Sequence, residues 1–181
     1  GCYLDTDDRK AVSFGLSPRF SRRDDGLSYS RRLRLSMEIR PTSNIECRLG
    51  PSYSQRFSYA QWIDTIRDNE GLDHYVYGEL DSITLDFTAR LNMSFTPNLS
   101  FQFYMQPFIA IGDYQNFKEL VEPQTYDFRR YNLNKNRDFY RRSLRSNMVL
   151  RWEFQPGSTL FVVWSQSREA ERKSLTSEDL R

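Results

Sequence analysis

Leu99-Ser-Phe101-Gln-Phe103-Tyr-Met105-Gln-Pro107-Phe-Ile109 follows Ile83-Thr-Leu85-Asp-Phe87-Thr-Ala89-Arg-Leu91-Asn-Met93-Ser-Phe95 across the turn Thr96-Pro97-Asn98. Side chains on a strand point to opposite faces in turn, so each stretch has one apolar face and one polar face. The two runs are about 11–13 residues long, where soluble strands average about 5–6. At ~3.3 Å per residue and ~45° tilt, such a strand crosses the ~30 Å hydrocarbon core of a membrane.

The same period of two marks five more stretches in the 181-residue chain. In the first, Val12 to Arg22, Val12, Phe14, Leu16, Pro18 and Phe20 alternate with Ser13, Gly15, Ser17, Arg19 and Ser21. The second, Tyr29 to Arg40, sets Leu33, Leu35, Met37 and Ile39 against Arg32, Arg34, Ser36 and Glu38. The third, Ile45 to Tyr59, sets Ile45, Cys47, Leu49, Tyr53, Phe57 and Tyr59 against Glu46, Arg48, Ser52, Ser54, Arg56 and Ser58. Beyond the two quoted stretches, the sixth is Leu144 to Phe154, with Met148, Leu150, Trp152 and Phe154 opposite Arg145, Asn147, Arg151 and Glu153. In the seventh, Thr159 to Ser167, the two faces are least distinct.

The connections alternate in kind. Pro41-Thr-Ser-Asn44, Thr96-Pro97-Asn98 and Gln155-Pro-Gly-Ser158 are tight turns built from residues that set turn dihedrals. On the other side lie Arg23-Asp-Asp-Gly26 and two long connections, from Ala60 and from Gly112. Short turns on one side and long loops on the other describe bacterial outer-membrane barrels. The expected fold is all-β: an antiparallel up-and-down meander forming the C-terminal part of a transmembrane β-barrel. It occupies residues 1–168, with 169–181 a charged tail or the start of a loop. The soluble alternative is a lipocalin-like barrel that turns the apolar face inward around a small apolar ligand. It explains the alternation equally well, and strand length and one-sided loops poorly.

Composition narrows the function classes. The longest apolar runs, such as Phe161-Val-Val-Trp164, fall far short of the ~18 residues of a membrane helix, but a barrel dilutes its apolar residues two-fold. Net charge is +2 from 26 basic and 24 acidic residues, and the arginines alternate along strands rather than forming a basic patch. No nucleic-acid partner is expected. Cys2 and Cys47 provide no disulfide framework, and the chain begins without Met or a signal peptide, as a fragment of a longer exported protein would. No nucleophile–base pair, phosphate loop or Cys/His cluster occurs, so neither enzyme activity nor a cofactor is expected.

The polar face holds the candidate site residues Arg34, Glu38, Arg48, Asp86, Arg90, Arg145, Arg151 and Glu153. They suit an ionic plug of cross-strand pairs somewhat better than a charged channel that orients a polar solute. Tyr53, Phe57 and Tyr59 at the long-loop end, with Phe95, Trp152 and Phe154 at the short-turn end, suit the two aromatic girdles of a membrane barrel. Plain β-propensity also favours aromatics in strands. The acidic stretch Asp64-Thr-Ile-Arg-Asp68-Asn-Glu70-Gly-Leu-Asp73-His74 reads as a surface loop without the position pattern of a calcium site. His74 is the only histidine, so no metal site is expected. The loop Gly112–Arg142, rich in Tyr and Arg, suits glycan or lipopolysaccharide contact, or a self-packed lid.

Residues 81–120 and 143–168 resemble a bacterial family whose members join a secreted module, similar to family-9 carbohydrate-binding modules, to a C-terminal outer-membrane β-barrel. The residues that carry the resemblance are Leu80-Asp-Ser-Ile-Thr-Leu85, Ala89-Arg-Leu-Asn92, Phe95-Thr-Pro-Asn-Leu-Ser100, Tyr104-Met-Gln-Pro-Phe108 and Gly112-Asp-Tyr-Gln-Asn-Phe-Lys-Glu-Leu120. Arg142-Ser-Leu-Arg-Ser-Asn147, Leu150-Arg-Trp-Glu153, Pro156-Gly-Ser-Thr-Leu160 and Val163-Trp-Ser-Gln-Ser-Arg168 continue it. The resemblance implies the outer membrane of a Gram-negative bacterium, membrane lipid as partner, and a carbohydrate-binding part upstream of this chain. Such barrels end on an aromatic strand and have even strand counts, whereas seven strands here run into a charged end at Arg181. The remaining strands are therefore expected from the same protein or a partner chain.

Overall fold

A computed structural model describes residues 1–122, 124–133 and 135–172. It contains nine strands: β1 (Leu4–Asp5), β2 (Val12–Arg22), β3 (Tyr29–Thr42), β4 (Ile45–Arg67), β5 (Asp73–Thr96), β6 (Leu99–Leu120), β7 (Phe128–Arg130), β8 (Phe139–Gln155) and β9 (Ser158–Arg172). They form one antiparallel meander in the order β1-β2-β3-β4-β5-β6-β8-β9, with β7 paired to β6. All seven periodic stretches are strands. The sheet is not closed into a barrel: among the described residues, the outer edges at β1 and β9 pair with nothing.

The register carries the alternation across the sheet. Leu33, Tyr53, Leu85 and Ile109 stand in one row, and Cys47, Leu91, Phe103, Met148 and Trp164 in another. Offset by one residue, Arg34, Ser52, Asp86, Phe108 and Ser143 form a row of the opposite face. A slip of one residue anywhere would mix the two faces, so patterning and register enforce each other.

Two-residue turns close one side. Between β3 and β4, Asn44 both accepts from the Ser94 N–H and donates from its amide to the Ser94 carbonyl, each at 2.9 Å. Between β5 and β6, the Asn98 carbonyl accepts from the Glu153 N–H at 2.8 Å. Each of these turns is thus tied to the strand after next. Gly157, at φ 78°, takes the left-handed position of the β8–β9 turn, where a side chain would strain the backbone.

On the other side β4, β5 and β6 run to 23, 24 and 22 residues. The expected long connections from Ala60 and Gly112 are therefore mostly strand. What is left of the first is Asp68–Leu72, where Asp68 accepts from the N–H groups of Glu70 and Leu72, each at 2.9 Å. The register shifts between Ser58 and Gln61 and between Trp62 and Asp64, and again on the β5–β6 ladder between Tyr77 and Glu79. Bulges like these bend and twist a strand and reset which face a side chain takes. β9 likewise continues through Glu169–Arg172; residues 173–181 of the expected tail lie outside the described residues.

Burial follows an unusual pattern. Among the described residues only Val76 and Leu80 are buried apolar side chains, and both belong to the extension beyond the long stripes. Leu33, Leu35, Leu85, Phe95, Trp152, Leu160, Val162 and Trp164 are all exposed. The accessible surface is 13395 Å². A folded soluble monomer of 21.6 kDa exposes roughly 9,200 Å². The stripes therefore have no protein partner within this sheet.

Candidate functional site

Two regions collect the polar chemistry: the face opposite the apolar stripes, and a collar made by the extended ends of β4, β5 and β6 with β7.

The register places Arg34, Glu38, Arg48, Asp86, Arg90, Arg145, Arg151 and Glu153 on that one polar face. They do not act as one group. Near the short turns the charges are matched: Glu38 accepts from Arg40 at 2.7 Å and from Arg48 at 2.8 Å, and Glu46 pairs with Arg48 at 2.5 Å. Arg151 donates to Glu153 at 3.0 Å, and Arg90 lies over the Tyr104 ring at 5.3 Å. Nearer the collar the matching stops. Arg19, Arg32, Arg34, Arg56 and Asp86 line a groove of about 530 Å³ with Ser30, Ser54, Ser82 and Thr84. None of the four arginines makes a side-chain hydrogen bond or ion pair among the described residues. Sequence reasoning assigned Arg34 and Asp86 to the candidate site and left out Arg19, which pairs directly with Arg32 across β2 and β3.

The collar corrects the reading of its residues as loop. His74 is the second residue of β5, with its ring held between two carboxylates: Nδ1 lies 2.6 Å from Glu119 Oε2, and Nε2 lies 3.2 Å from Asp68 Oδ2. These hydrogen bonds, Glu119 first, raise the His74 pKa above 6.5. Burial works against ionisation of Glu119, but hydrogen bonds from His74 and Arg129 outweigh it and hold the carboxyl low. Asp68 is lowered first by its bond from the Leu72 backbone and then by His74. Asp73 pairs with Arg67 at 2.7 Å, and Asp64 accepts from Arg137 at 2.9 Å. The acidic stretch is thus spent on internal pairs. Among the described residues, no group of three or more His, Cys, Asp or Glu is placed to hold a metal ion.

Lys118 is buried with its ammonium 3.1 Å from the Tyr59 ring centroid and 3.2 Å from Glu79 Oε1. Phe128 closes this cluster edge-on against Tyr59 and Tyr77. Tyr131 and Asp138 are tied back to the collar: the Tyr131 N–H donates to the Phe117 carbonyl, and Asp138 accepts from the Tyr114 N–H at 2.7 Å. At these two points the segment expected as a glycan-contact loop or a self-packed lid is bonded to its own protein.

The girdle aromatics divide. Phe95, Trp152 and Phe154 are exposed at the short-turn end, the last two 5.9 Å apart. Tyr53 is exposed, and Phe57 stacks on Tyr29 at 5.7 Å. Tyr59 is taken up by the collar beneath Lys118. Just beyond Tyr53, Gln55 on the same face receives Arg31 and donates to both Asp81 carboxylate oxygens at 3.1 and 3.2 Å, which ends the apolar stripe in a polar belt. Among the described residues no helix is long and apolar enough to cross a membrane, which leaves crossing by strands untouched.

Comparisons with curated proteins and with solved structures found no match. A family model, described as a domain of unknown function (DUF5916), matches residues 1–179. With a match over almost its whole length, this chain belongs to the DUF5916 family.

Proposed function

We propose that this chain is a non-catalytic segment of a transmembrane β-barrel in the outer membrane of a Gram-negative bacterium, and that its polar face lines a passage for polar solutes. One observation carries the reading. The apolar face runs from β2 to β9 and is exposed or half-exposed along its length, while among the described residues the only buried apolar side chains sit in the collar. Lipid is the partner that suits such a face, because the stripes match the thickness of a bilayer and end in a polar belt. The two open edges fit further strands, from the same protein or another copy, since unpaired backbone groups cost several kcal/mol each in hydrocarbon. A lipocalin-like reading would need the apolar face to close around its ligand, and this sheet is open.

A second reading, surface anchoring of an upstream carbohydrate-binding module, is favoured by the bonds of Tyr131 and Asp138 to the collar and by the family resemblance. Planar-bilayer recordings of the full-length protein separate the two. Open-pore currents are the expected outcome for passage. A silent barrel that still retains glycans on an affinity matrix would instead assign anchoring.

A further inference from the structure

We propose that the groove between Arg19, Arg32, Arg34 and Arg56 binds the oxyanion group, carboxylate or phosphate, of a small acidic solute. The inference rests on the passage reading and names the substrate class for it. Charge matching at the short-turn end of the same face carries the argument. Next to the short turns, Arg40 and Arg48 share Glu38 and Glu46, Arg151 has Glu153, and Arg90 has the Tyr104 ring. Of the five arginines that line the groove, Arg31 donates to Gln55, and the other four have one carboxylate among them, Asp86, which stands two strands from Arg34 in the same row.

Arg19 and Arg32 are direct cross-strand partners on one face. Like charges so placed, with Cβ atoms roughly 5 Å apart, destabilise a sheet unless something sits between them. Arg34 follows on the same edge of β3, and Arg56 lies diagonally across on β4 beside Ser30. Guanidinium groups are the donors that match carboxylate and phosphate, because their planar fork gives two parallel hydrogen bonds to such a group. Ser30, Ser54, Ser82 and Thr84 add hydroxyls that suit the neutral, hydroxylated part of a solute. The position is also apt. Arg56 and Ser82 are paired immediately inside Ser58 and Leu80 of the collar, so an entering molecule meets this row first.

The test uses the full-length protein in detergent and in planar bilayers, with inorganic phosphate, D-galacturonate and neutral D-galactose as probes. Calorimetric titration is expected to show binding of phosphate, galacturonate or both, weakening with salt, and none of galactose. Phosphate alone assigns phosphorylated solutes, and galacturonate alone assigns acidic sugars. Arg32→Gln/Arg34→Gln should weaken anion binding at least tenfold. Arg9→Gln/Arg23→Gln, with the same change in net charge outside the groove, should leave it within twofold. Asp86→Asn should tighten it, which keeps a readout if the double variant fails to fold. Absence of anion binding by the native protein, or equal losses in both double variants, would overturn the proposal. Anion binding by a silent barrel would overturn passage and leave the groove standing. Currents without anion binding would do the reverse.

Discussion

His74 shows how one residue can govern an element. Its ring joins Asp68, in the β4–β5 turn, to Glu119 near the end of β6, so three strand ends meet at one imidazole. Because its pKa is raised in the folded protein, its contribution is complete below about 6.5 and is lost as pH rises through the folded value. The lowered pKa values of Asp68 and Glu119 act in the other direction. Their contributions are present above about 4 and are lost as pH falls through their folded values. The collar is therefore tightest between the two limits. Limited trypsin digestion at Arg129 and Arg130 should be slow at pH 6 and faster at pH 8.5. With rates divided by those of an unstructured peptide at the same pH, that difference should vanish in His74→Gln; an unchanged profile would mean that the clamp does not hold the collar.

Strands are where the membrane reading makes quantitative demands. Phe103 lies mid-stripe on β6, whereas Phe95 lies at the short-turn end of β5. If lipid covers this face, Phe103→Arg should destabilise the folded protein by about 2–4 kcal/mol and Phe95→Arg by about 0–1 kcal/mol. Folding equilibria in phospholipid bilayers measure both, and equal costs at the two depths would count against lipid as the covering partner. The same scale explains what the sequence let one read. Every stripe residue obeys a period of two, so Ile83–Phe95 and Leu99–Ile109 were legible residue by residue, as were the polar-face positions of Arg34, Arg90 and Arg151. Past Ser58 the bulges break that period, and Asp64, Asp68 and Asp73 then read as a loop although most of the segment is strand. The Lys118–Tyr59 and His74–Glu119 contacts depend on register after those bulges, over 59 and 45 residues of sequence. No local signal marks them. The strands β1 and β7, two and three residues long, are too short to show any period.

Taken whole, the molecule has an inverted economy of burial. Its large apolar surface is outside, and its small protein core is in a collar at one end. Residues 1–181 expressed alone in water should therefore not give a sharp monomeric peak on size-exclusion chromatography without detergent, since soluble monomers expose apolar patches of only a few hundred Å². A monomeric peak with cooperative unfolding would place the apolar face against protein and end the membrane reading.

The neighbour-only order of the sheet also bears on how the chain assembles. With every strand of the main path following its sequence neighbour except where β7 intervenes, the longest connection closed is the one between β6 and β8. Low contact order of this kind lets structure form early and locally, as successive hairpins. Each hairpin leaves one row of free N–H and C=O groups, and that row is the surface on which the next strand aligns. The tight turns then set the timing as well as the shape. Asn44 and Asn98 each bond to the strand after next, so neither turn is complete until a further strand has arrived. Growth therefore proceeds edge by edge, each new strand locking the turn laid down before it.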